Sequence, residues 1–283
     1  VDGQNDVHNY GTNGFYLPLD GNTPVGKDQS GNGNDWTPIN FGGSNVIPKA
    51  TGALPILNTV NGGTSATVGV RTDSNYSDLV LALPLVGNAD DVSNQINSGS
   101  TTKSVTNNST VTFPYDTGNF YGGSALFSGS NSLTVASNSD FAFPGDFTWE
   151  MWIRPTSSSV GSHSRVIEFG DTSWAIYIYP ASNPYAVYAQ LGSQSLVSYN
   201  SYKENVWTHI AVVKSGSTAY LFINGTLRDS QANSSTMSGP TDLDINGRDN
   251  SSYRWPGYIQ DLRIYAGVAK YTENFIPAST NPD

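Results

Sequence analysis

The sequence predicts an all-β protein, and three observations support this prediction. The stretch Gly145–Pro155 (GDFTWEMWIRP) alternates as a β-strand does, because successive strand side chains point to opposite faces. The residues on one of its faces are all apolar: Phe147, Trp149, Met151 and Ile153. With 29 Gly and 15 Pro among 283 residues, turn-forming residues are dense. No segment of the sequence shows a long helical period, so strands joined by turns account for the pattern best.

Charged residues are sparse, and acidic residues outnumber basic ones. The chain has 13 Lys plus Arg against 23 Asp plus Glu, a net charge of −10. This balance argues against nucleic-acid binding, which requires clustered Lys and Arg. The chain has no cysteine, which excludes disulfides and thiolate metal sites. No apolar run is long enough to span a bilayer, so we expect no membrane insertion.

Residues 1–76 differ from the remainder and are predicted to form an extended, loop-rich segment. They contain one short apolar strand candidate, Phe15–Leu19, followed by Val46–Ile47, Leu54–Leu57 and Thr67–Val70 among Gly, Pro and Asn. Such a segment buries little apolar surface by itself. We therefore expect it to dock on the main domain, residues 77–283, or on a neighbouring subunit, and we expect a homo-oligomer.

A short internal repeat links the two regions. Tyr16–Asn22 (YLPLDGN) recurs as Ala82–Asn88 (ALPLVGN), and each copy leads into a loop rich in Asp, Ser and Asn. These loops are Lys27–Asn32 and Asp90–Asn94. We interpret the repeat as two similar strand-then-loop units rather than two complete domains.

From Leu79 onward, strand signals follow one another at regular spacing. Leu79–Leu85 is a continuous apolar run, as expected where both faces of a strand are covered. Asn224-Gly225 lies between two apolar stretches and predicts a tight hairpin. The other predicted strands, in order, are 124–128, 132–136, the stretch 145–155, 165–169, 174–179, 186–191, 207–213, 219–223, 226–229, 243–246 and 258–265.

Five motifs, in order, resemble the laminin-G-like / concanavalin A-like lectin-glucanase superfamily between about Leu79 and Ser279. They are Gly122–Phe127, Asp146–Pro155, Trp207–Ala211, Tyr220–Gly225 and Gly257–Tyr265. The resemblance implies a two-sheet antiparallel jelly-roll sandwich. The stretches HNYGTNGFYLPLDG and KDQSGNGNDW are similar instead to segments that precede a jelly roll in structural proteins of marine tailed phages.

The resemblance also implies a structural Ca²⁺ ion between the loop after the first strand and an aspartate on the last strand. Asp261 matches the second position, and Asp90 and Asp91 lie in the loop after Leu79–Leu85. Calcium prefers six to eight oxygen ligands, which two such segments could supply together. The alternative is that Asp261 pairs with Arg263 or accepts hydrogen bonds from backbone amides. Asp20 and Asp28, in the first copy of the repeat, are candidates for a second site.

Tyrosines are concentrated in one part of the chain, and we predict a glycan-binding site there. The candidate residues are Tyr177, Tyr179, Tyr185 and Tyr188. Jelly-roll faces can present aromatic rings that stack on sugars, and an exposed aromatic patch marks a binding surface or a subunit interface. The alternative is ordinary sheet packing, since tyrosine is common in strands.

Glycoside hydrolysis is not expected, although the superfamily contains hydrolases. That reaction requires two carboxylates at a defined separation across the scissile bond. Glu150 and Glu168 each stand without an acidic partner on the same strand, and an isolated glutamate on a strand usually lies on a solvated face. The sequence therefore predicts a non-enzymatic protein.

Taken together, the sequence and its resemblances predict a structural protein on the virion surface of a marine phage. Such a protein would lie in a tail fibre, an appendage or a capsid decoration, and would bind cell-surface glycan or other virion proteins. The alternative is a carbohydrate-binding or adhesion module of a secreted cellular protein, with an extracellular location.

Overall fold

A computed structural model provides the structure of the chain. It describes residues 11–17, 26, 28, 30–37, 56–59, 66–68, 73–119, 122–156, 163–170, 173–180, 185–247 and 253–277. The predicted strand Val46–Ile47 and the candidate ligand Asp20 lie outside the described residues.

The regular secondary structure of the described chain is almost entirely β-strand. The strands are β1 (Leu57–Thr59), β2 (Ala66–Val68), β3 (Leu79–Leu83), β4 (Val105–Asn108), β5 (Ala125–Ser128), β6 (Ser132–Asn138), β7 (Phe147–Pro155), β8 (Ser164–Phe169), β9 (Trp174–Ile178), β10 (Val187–Leu191), β11 (Gln194–Ser198), β12 (Thr208–Ser215), β13 (Thr218–Ile223), β14 (Thr226–Ala232), β15 (Thr241–Ile245) and β16 (Pro256–Ala266). One helical turn, α1 (Ser93–Ile96), and two 3₁₀ turns, Tyr76–Asp78 and Ser139–Phe141, complete the elements.

Two antiparallel sheets form the sandwich, and they confirm the predicted fold class. The front sheet has the order β14-β13-β12-β7-β16-β3, with β5 also paired to β16. The back sheet has the order β11-β10-β9-β8-β15-β6-β4. Strands that are neighbours in a sheet are often distant in sequence, as in a jelly roll. A separate two-stranded pair joins β1 and β2.

Strand β7, the GDFTWEMWIRP stretch, lies in the middle of the front sheet, between β12 and β16. Its apolar face is fully buried between the sheets. Trp149 stacks on Phe147, with ring centroids 4.6 Å apart, and approaches Phe169 of the back sheet at 4.7 Å. Burying each such side chain contributes about 1.5–3 kcal/mol, and aromatic pairs add about 0.5–1.5 kcal/mol. This cluster therefore joins the two sheets.

The predicted hairpin after β13 is present, and its glycine has two separate roles. Asn224 and Gly225 both have positive φ, 50° and 74°, as the tight turn requires. Gly225 also accepts a hydrogen bond from the backbone N–H of Phe275 at 2.9 Å. A Cβ atom at this position would lie only 2.0 Å from the Phe275 carbonyl oxygen. The hairpin therefore also anchors the C-terminal segment.

Two strands that were not predicted, β4 and β11, form the edges of the back sheet. Their sequences, VTNN and QSLVS, are short and mainly polar. An edge strand has one hydrogen-bonded neighbour and needs few buried side chains, so its hydrophobic pattern is weak.

Among the described residues before the predicted boundary at 76/77, Ile56 and Asp73 contact the sandwich. Ile56 is buried, and its backbone N–H donates to Asp261 Oδ1 at 2.9 Å. Asp73 accepts a hydrogen bond from the Tyr265 hydroxyl at 2.5 Å and lies 3.5 Å from Lys270 Nζ. The boundary itself stays a prediction.

Candidate functional site

Strands β9 and β10 place tyrosines on the outer face of the back sheet. In β9, Trp174, Ile176 and Ile178 belong to the core between the sheets, so the alternating residues point outward. Tyr177 on β9 lies directly opposite Tyr188 on β10 in the antiparallel register. Tyr177, Tyr179 and Tyr188 form a cluster separate from the core, together with Ala175 and Ala186.

The rings of this cluster are in mutual contact. Tyr179 lies 4.5 Å from Tyr188 and 4.9 Å from His163, measured between ring centroids. Tyr188 reaches Tyr199 on its other side, with the two hydroxyl oxygens 3.4 Å apart. We call these five residues, His163, Tyr177, Tyr179, Tyr188 and Tyr199, the tyrosine face. Burial, with the neighbouring Tyr188 and Tyr177, raises the pKa of Tyr179 to about 12, so its hydroxyl keeps its proton at neutral pH.

Tyr185, the fourth predicted tyrosine, lies apart from the tyrosine face. It has a positive φ of 46° and packs against the core between the sheets. Its ring meets Tyr202 at 5.2 Å, and the Tyr202 hydroxyl donates to the Tyr179 carbonyl at 2.5 Å. The structure therefore brings three of the four predicted tyrosines together, and it gives Tyr185 a packing role at the end of β10.

A groove of about 400 Å³ opens beside the tyrosine face. Its lining residues are His163, Arg165, Ser173, Tyr177, Gln190, Gly192 and Tyr253. The Arg165 guanidinium lies 4.1 Å from the centroid of Tyr253 and 5.5 Å from that of Tyr177, and it pairs with Glu168. The aromatic rings thus hold this cation in place, while the ion pair balances its charge.

A row of polar side chains extends from the groove across the outer face of the back sheet. Asp244 on β15 lies opposite Glu168 on β8 in the register. The Thr134 hydroxyl donates to Asp244 Oδ1 at 2.7 Å, and the Asn108 side-chain amide donates to Thr134 at 2.9 Å. Rings next to ordered carboxylate, hydroxyl and amide groups suit a ligand that has both apolar faces and many hydroxyls.

Sequence reasoning missed Arg165, Gln190 and Tyr253 as groove residues. They come from β8, β10 and the segment just before β16, which lie far apart in the sequence. Arg165 and Gln190 come to lie near Tyr177 only because β8 and β10 both pair with β9. No local sequence pattern distinguishes these three residues from others of the same types.

Asp91 connects β3, the first strand of the sandwich, to the loop that follows it. Its Oδ1 accepts from the N–H groups of Ala82 at 3.1 Å and Ser93 at 2.9 Å. Its Oδ2 accepts from the Ser93 hydroxyl at 3.0 Å and the Lys103 N–H at 2.8 Å. Four donors therefore occupy this buried carboxylate.

The other two predicted calcium ligands are engaged differently. Asp261 is buried, and it accepts hydrogen bonds from the Ile56 N–H and, at 2.5 Å, from Arg263 Nη2. This arrangement is the alternative to calcium binding that the sequence left open. Asp90 is exposed and pairs with Asn88. Within the described ranges, no group of three or more His, Cys, Asp or Glu is arranged to hold a metal ion. As arranged, these carboxylates do not fit a calcium site, because a cation would have to displace N–H and guanidinium donors. Calcium binding stays a prediction.

The expectation that isolated strand glutamates lie on a solvated face is wrong for Glu150, because this side chain is only 3% exposed. It accepts hydrogen bonds from Lys270 Nζ at 2.8 Å and the Tyr271 hydroxyl at 2.9 Å. Burial would raise the pKa of Glu150, but the charge of Lys270 and a hydrogen bond from His209 hold it well below 4.5. Glu168 is likewise buried, in its pair with Arg165.

These features define a two-sheet jelly roll of the lectin type with an aromatic groove on one outer face. The family model described as the concanavalin A-like lectin/glucanases superfamily matches residues 127–273, just over half of the chain. The chain belongs to this superfamily. A search of the curated proteins found no match.

Several solved structures share the fold at low sequence identity. The binding domain of Paraclostridial Mosquitocidal Protein 1 is 16% identical with a TM-score of 0.54, over 69% of this chain and 50% of that chain. A structure of botulinum neurotoxin type C, whose cell entry depends on two ganglioside molecules, is 17% identical with a TM-score of 0.53, over 71% and 50%. Domain 4 of AbnA, a GH43 arabinanase from Geobacillus stearothermophilus in complex with arabinotriose, is 19% identical with a TM-score of 0.50, over 68% and 94%.

The matched region thus spans about half the length of the two toxin chains. At these identities the similarity establishes the fold alone. Within the described part of the chain, none of the helices has the length and hydropathy that crossing a membrane requires.

Proposed function

We propose that this chain is a carbohydrate-binding jelly-roll module, and that it binds glycan in the groove beside the tyrosine face. The observation that carries the proposal is the convergence of Tyr177, Tyr253 and Arg165 on a groove of about 400 Å³. Tyr177 is only 7% exposed, so a sugar can contact the accessible part of its ring at the groove wall while Gln190 meets the sugar hydroxyls. Two structurally similar proteins support the same class of ligand: a toxin whose cell entry depends on gangliosides, and an arabinanase domain solved in complex with arabinotriose.

The role is binding rather than catalysis. Glu150 is held by Lys270 and Tyr271 under the C-terminal segment, on the front sheet. Glu168 forms an ion pair with Arg165 beside the groove. A glycosidase needs one carboxylic acid that donates a proton and one carboxylate that attacks or activates water. A permanently ion-paired carboxylate is poorly suited to donate a proton.

Binding is tested with a glycan array, followed by titration calorimetry of the strongest ligand. Tyr177→Ala removes a ring from the groove wall and is expected to weaken binding roughly 5- to 30-fold, since a contact of about 1–2 kcal/mol is lost. Tyr115→Ala is a surface control, because Tyr115 is 67% exposed and lies outside the groove. An array without hits, or equal affinities for the two variants, would exclude the groove as the glycan site.

In its biological setting, we place the module on the virion surface of a marine phage, where it attaches the particle to host glycans. The resemblance of the N-terminal stretches HNYGTNGFYLPLDG and KDQSGNGNDW to phage structural proteins supports this role. Labelling purified particles with an antibody against the module, viewed by electron microscopy, tests it. Antibody on fibres, appendages or capsids is expected, and label confined to secreted host protein would contradict the assignment.

A further inference from the structure

A cation held between aromatic rings lies on the outer face of the front sheet. Strand β7 buries Ile153 between the sheets, so the next residue, Arg154, points to the outer face. Tyr258 of β16 lies opposite Arg154 in the antiparallel register. On the other side, Thr208 of β12 lies opposite Ile153, which places Trp207, the residue before it, beside Arg154. Three adjacent strands therefore bring a tyrosine, an arginine and a tryptophan together.

The side chains of this set form a row across the sheet. The Arg154 guanidinium carbon lies 4.2 Å from the ring centroid of Tyr258 and 5.4 Å from that of Trp207. Leu126 of β5 lies opposite Tyr258 and extends the row to a fourth strand. All four side chains are half-buried, and Val206, beside Trp207, is 49% exposed. Because neighbouring strands lie about 4.8 Å apart, the row is about 14 Å long. We name as the arginine row the side chains of Leu126, Arg154, Trp207 and Tyr258.

The C-terminal segment covers a different part of this face. Its residues Tyr271 and Phe275 pack on a cluster that contains Ala211, Val213 and Phe222, farther along β12 and β13. No residue of the arginine row belongs to that cluster. Among the described residues, the cover therefore ends before the arginine row, which explains why its side chains stay partly accessible.

The charge of Arg154 is not balanced by a carboxylate, which distinguishes Arg154 from Arg165. Arg165 also lies between two tyrosine rings, but it pairs with Glu168. In the described part of the chain, Arg154 forms no ion pair, and its buried Nε–H and the indole N–H of Trp207 have no hydrogen-bond acceptor. A buried donor without an acceptor costs free energy. An anionic oxygen atom of a ligand can supply both the acceptor and the opposite charge.

The geometry of a guanidinium between rings favours a particular kind of anion. Rings that lie against the guanidinium leave its N–H groups, which lie in its own plane, directed past the rings. Such N–H groups bind two oxygens of one carboxylate or sulfate group through two parallel hydrogen bonds. The rings of Trp207 and Tyr258, with Leu126, offer apolar contact to the faces of a sugar. The arginine row therefore suits a sugar that carries an acidic group.

The size of the arginine row and its single charge indicate an oligosaccharide. A protein interface commonly buries about 800 Å² on each partner, which exceeds what a few half-buried side chains expose. A nucleic acid needs clustered Lys and Arg, whereas this chain has a net charge of −10. A row about 14 Å long extends beyond one sugar ring. We propose that the arginine row is a second glycan site, which binds acidic oligosaccharides through Arg154 and is separate from the groove on the back sheet.

An array of acidic glycans with their neutral counterparts tests this site, and the melting temperature of each variant reports its folding. The wild-type chain is expected to bind glycans that carry uronate, sialic acid or sulfate groups. Arg154→Gln removes the charge and is expected to weaken these interactions at least roughly tenfold. Arg154→Lys keeps the charge without the planar fork and is expected to bind with intermediate affinity. Arg228→Gln makes the same change at an exposed arginine of β14 and is expected to bind like wild type.

Calorimetry of the strongest acidic ligand and of its neutral counterpart, the methyl ester or the desulfated sugar, separates charge from shape. The neutral form is expected to bind the wild-type chain at least roughly tenfold more weakly, and Arg154→Gln is expected to bind both forms alike. Tyr177→Ala, in the groove, is expected to keep the acidic ligands, so the two sites can fail separately. An array without acidic ligands, equal affinities of wild type and Arg154→Gln, or loss of the acidic ligands in Tyr177→Ala alone would overturn the proposal. A preference for carboxylate or for sulfate identifies the anion, and either one supports the site.

Discussion

Asp91 was predicted to be a functional carboxylate from the sequence, but its hydrogen-bond donors are known only from the fold. The family resemblance suggested that Asp90 and Asp91, in the acidic loop after an apolar strand, are calcium ligands. The Asp91 carboxylate receives backbone N–H groups from β3 and from two later positions. The sequence does not show whether an aspartate binds a metal ion or accepts hydrogen bonds from backbone N–H groups, because both roles use the same carboxylate oxygens.

Replacing Asp91 by Asn separates these two roles. The amide keeps the shape but cannot accept all four hydrogen bonds, so the free energy of unfolding is expected to fall by about 2 kcal/mol. Asp90→Asn, at the exposed neighbour, is expected to change it by less than about 0.5 kcal/mol. Urea unfolding with and without a chelator measures both. A wild-type chain that loses stability with chelator, while Asp91→Asn does not respond, would instead favour calcium.

For the tyrosines Tyr177, Tyr179 and Tyr188, the sequence indicated the face of the sheet on which they lie but not the residues that they contact. Alternation along β9 was enough to place Tyr177 and Tyr179 on the face opposite Trp174 and Ile176. The contacts of Arg165 with Tyr177 and Tyr253 depend on strand pairing and on the segment before β16, and they have no counterpart in the local sequence.

At the level of elements, Glu150 ties the front sheet to the C-terminal segment that covers its outer face. Strand β7 supplies Glu150, while Lys270 and Tyr271 follow β16. His209 on β12 lies 3.5 Å and Arg263 on β16 lies 3.8 Å from its oxygens. The segment is anchored by this network and by the stacking of Tyr271 on Phe275, at 3.6 Å between centroids.

Glu150→Gln tests the network and its pH dependence. Removing one charge from a buried network is expected to cost about 3 kcal/mol of unfolding free energy at pH 7. Because the folded pKa of Glu150 lies below its ordinary 4.5, the stability it contributes is present above pH 4.5 and is lost as the pH falls towards the folded pKa. The difference between wild type and variant should therefore shrink below about pH 4.5.

Glu273→Gln, at an exposed glutamate, is the control for Glu150→Gln and is expected to leave the stability unchanged. Urea unfolding of the three chains from pH 7 down to the acid limit provides the comparison. A difference between wild type and Glu150→Gln that stays constant with pH would contradict the role assigned to the ionised carboxylate.

At the scale of the whole molecule, the chain combines one sandwich with a preceding segment that contacts it at Ile56 and Asp73. Ile56 adds to a cluster with Leu79, Ala82 and Tyr265 on the outer face of the front sheet. The sequence analysis placed the boundary at 76/77, and these contacts indicate that part of the preceding segment stabilises the sandwich.

Two truncations measure that contribution. A chain that starts at residue 56 keeps both contacts and is expected to unfold at nearly the temperature of the full chain. A chain that starts at residue 77 loses the buried Ile56 and the Asp73 bonds, and is expected to be folded but less stable by roughly 2–5 kcal/mol. Thermal unfolding followed by circular dichroism compares them. Equal stability of the two truncated chains would show that the contacts contribute nothing, and an unfolded second chain would move the boundary upstream.

The sequence by itself determined the β-class of the protein, the central strand β7 and the hairpin at Asn224-Gly225. These features depend on side-chain alternation and turn chemistry within a few residues, which a single sequence states directly. Only the tertiary structure decided the groove at Arg165 and Tyr253, the four bonds that occupy Asp91, and the burial of Glu150. Each of these depends on residues that strand pairing brings together from distant parts of the chain, and local patterns do not encode such pairings.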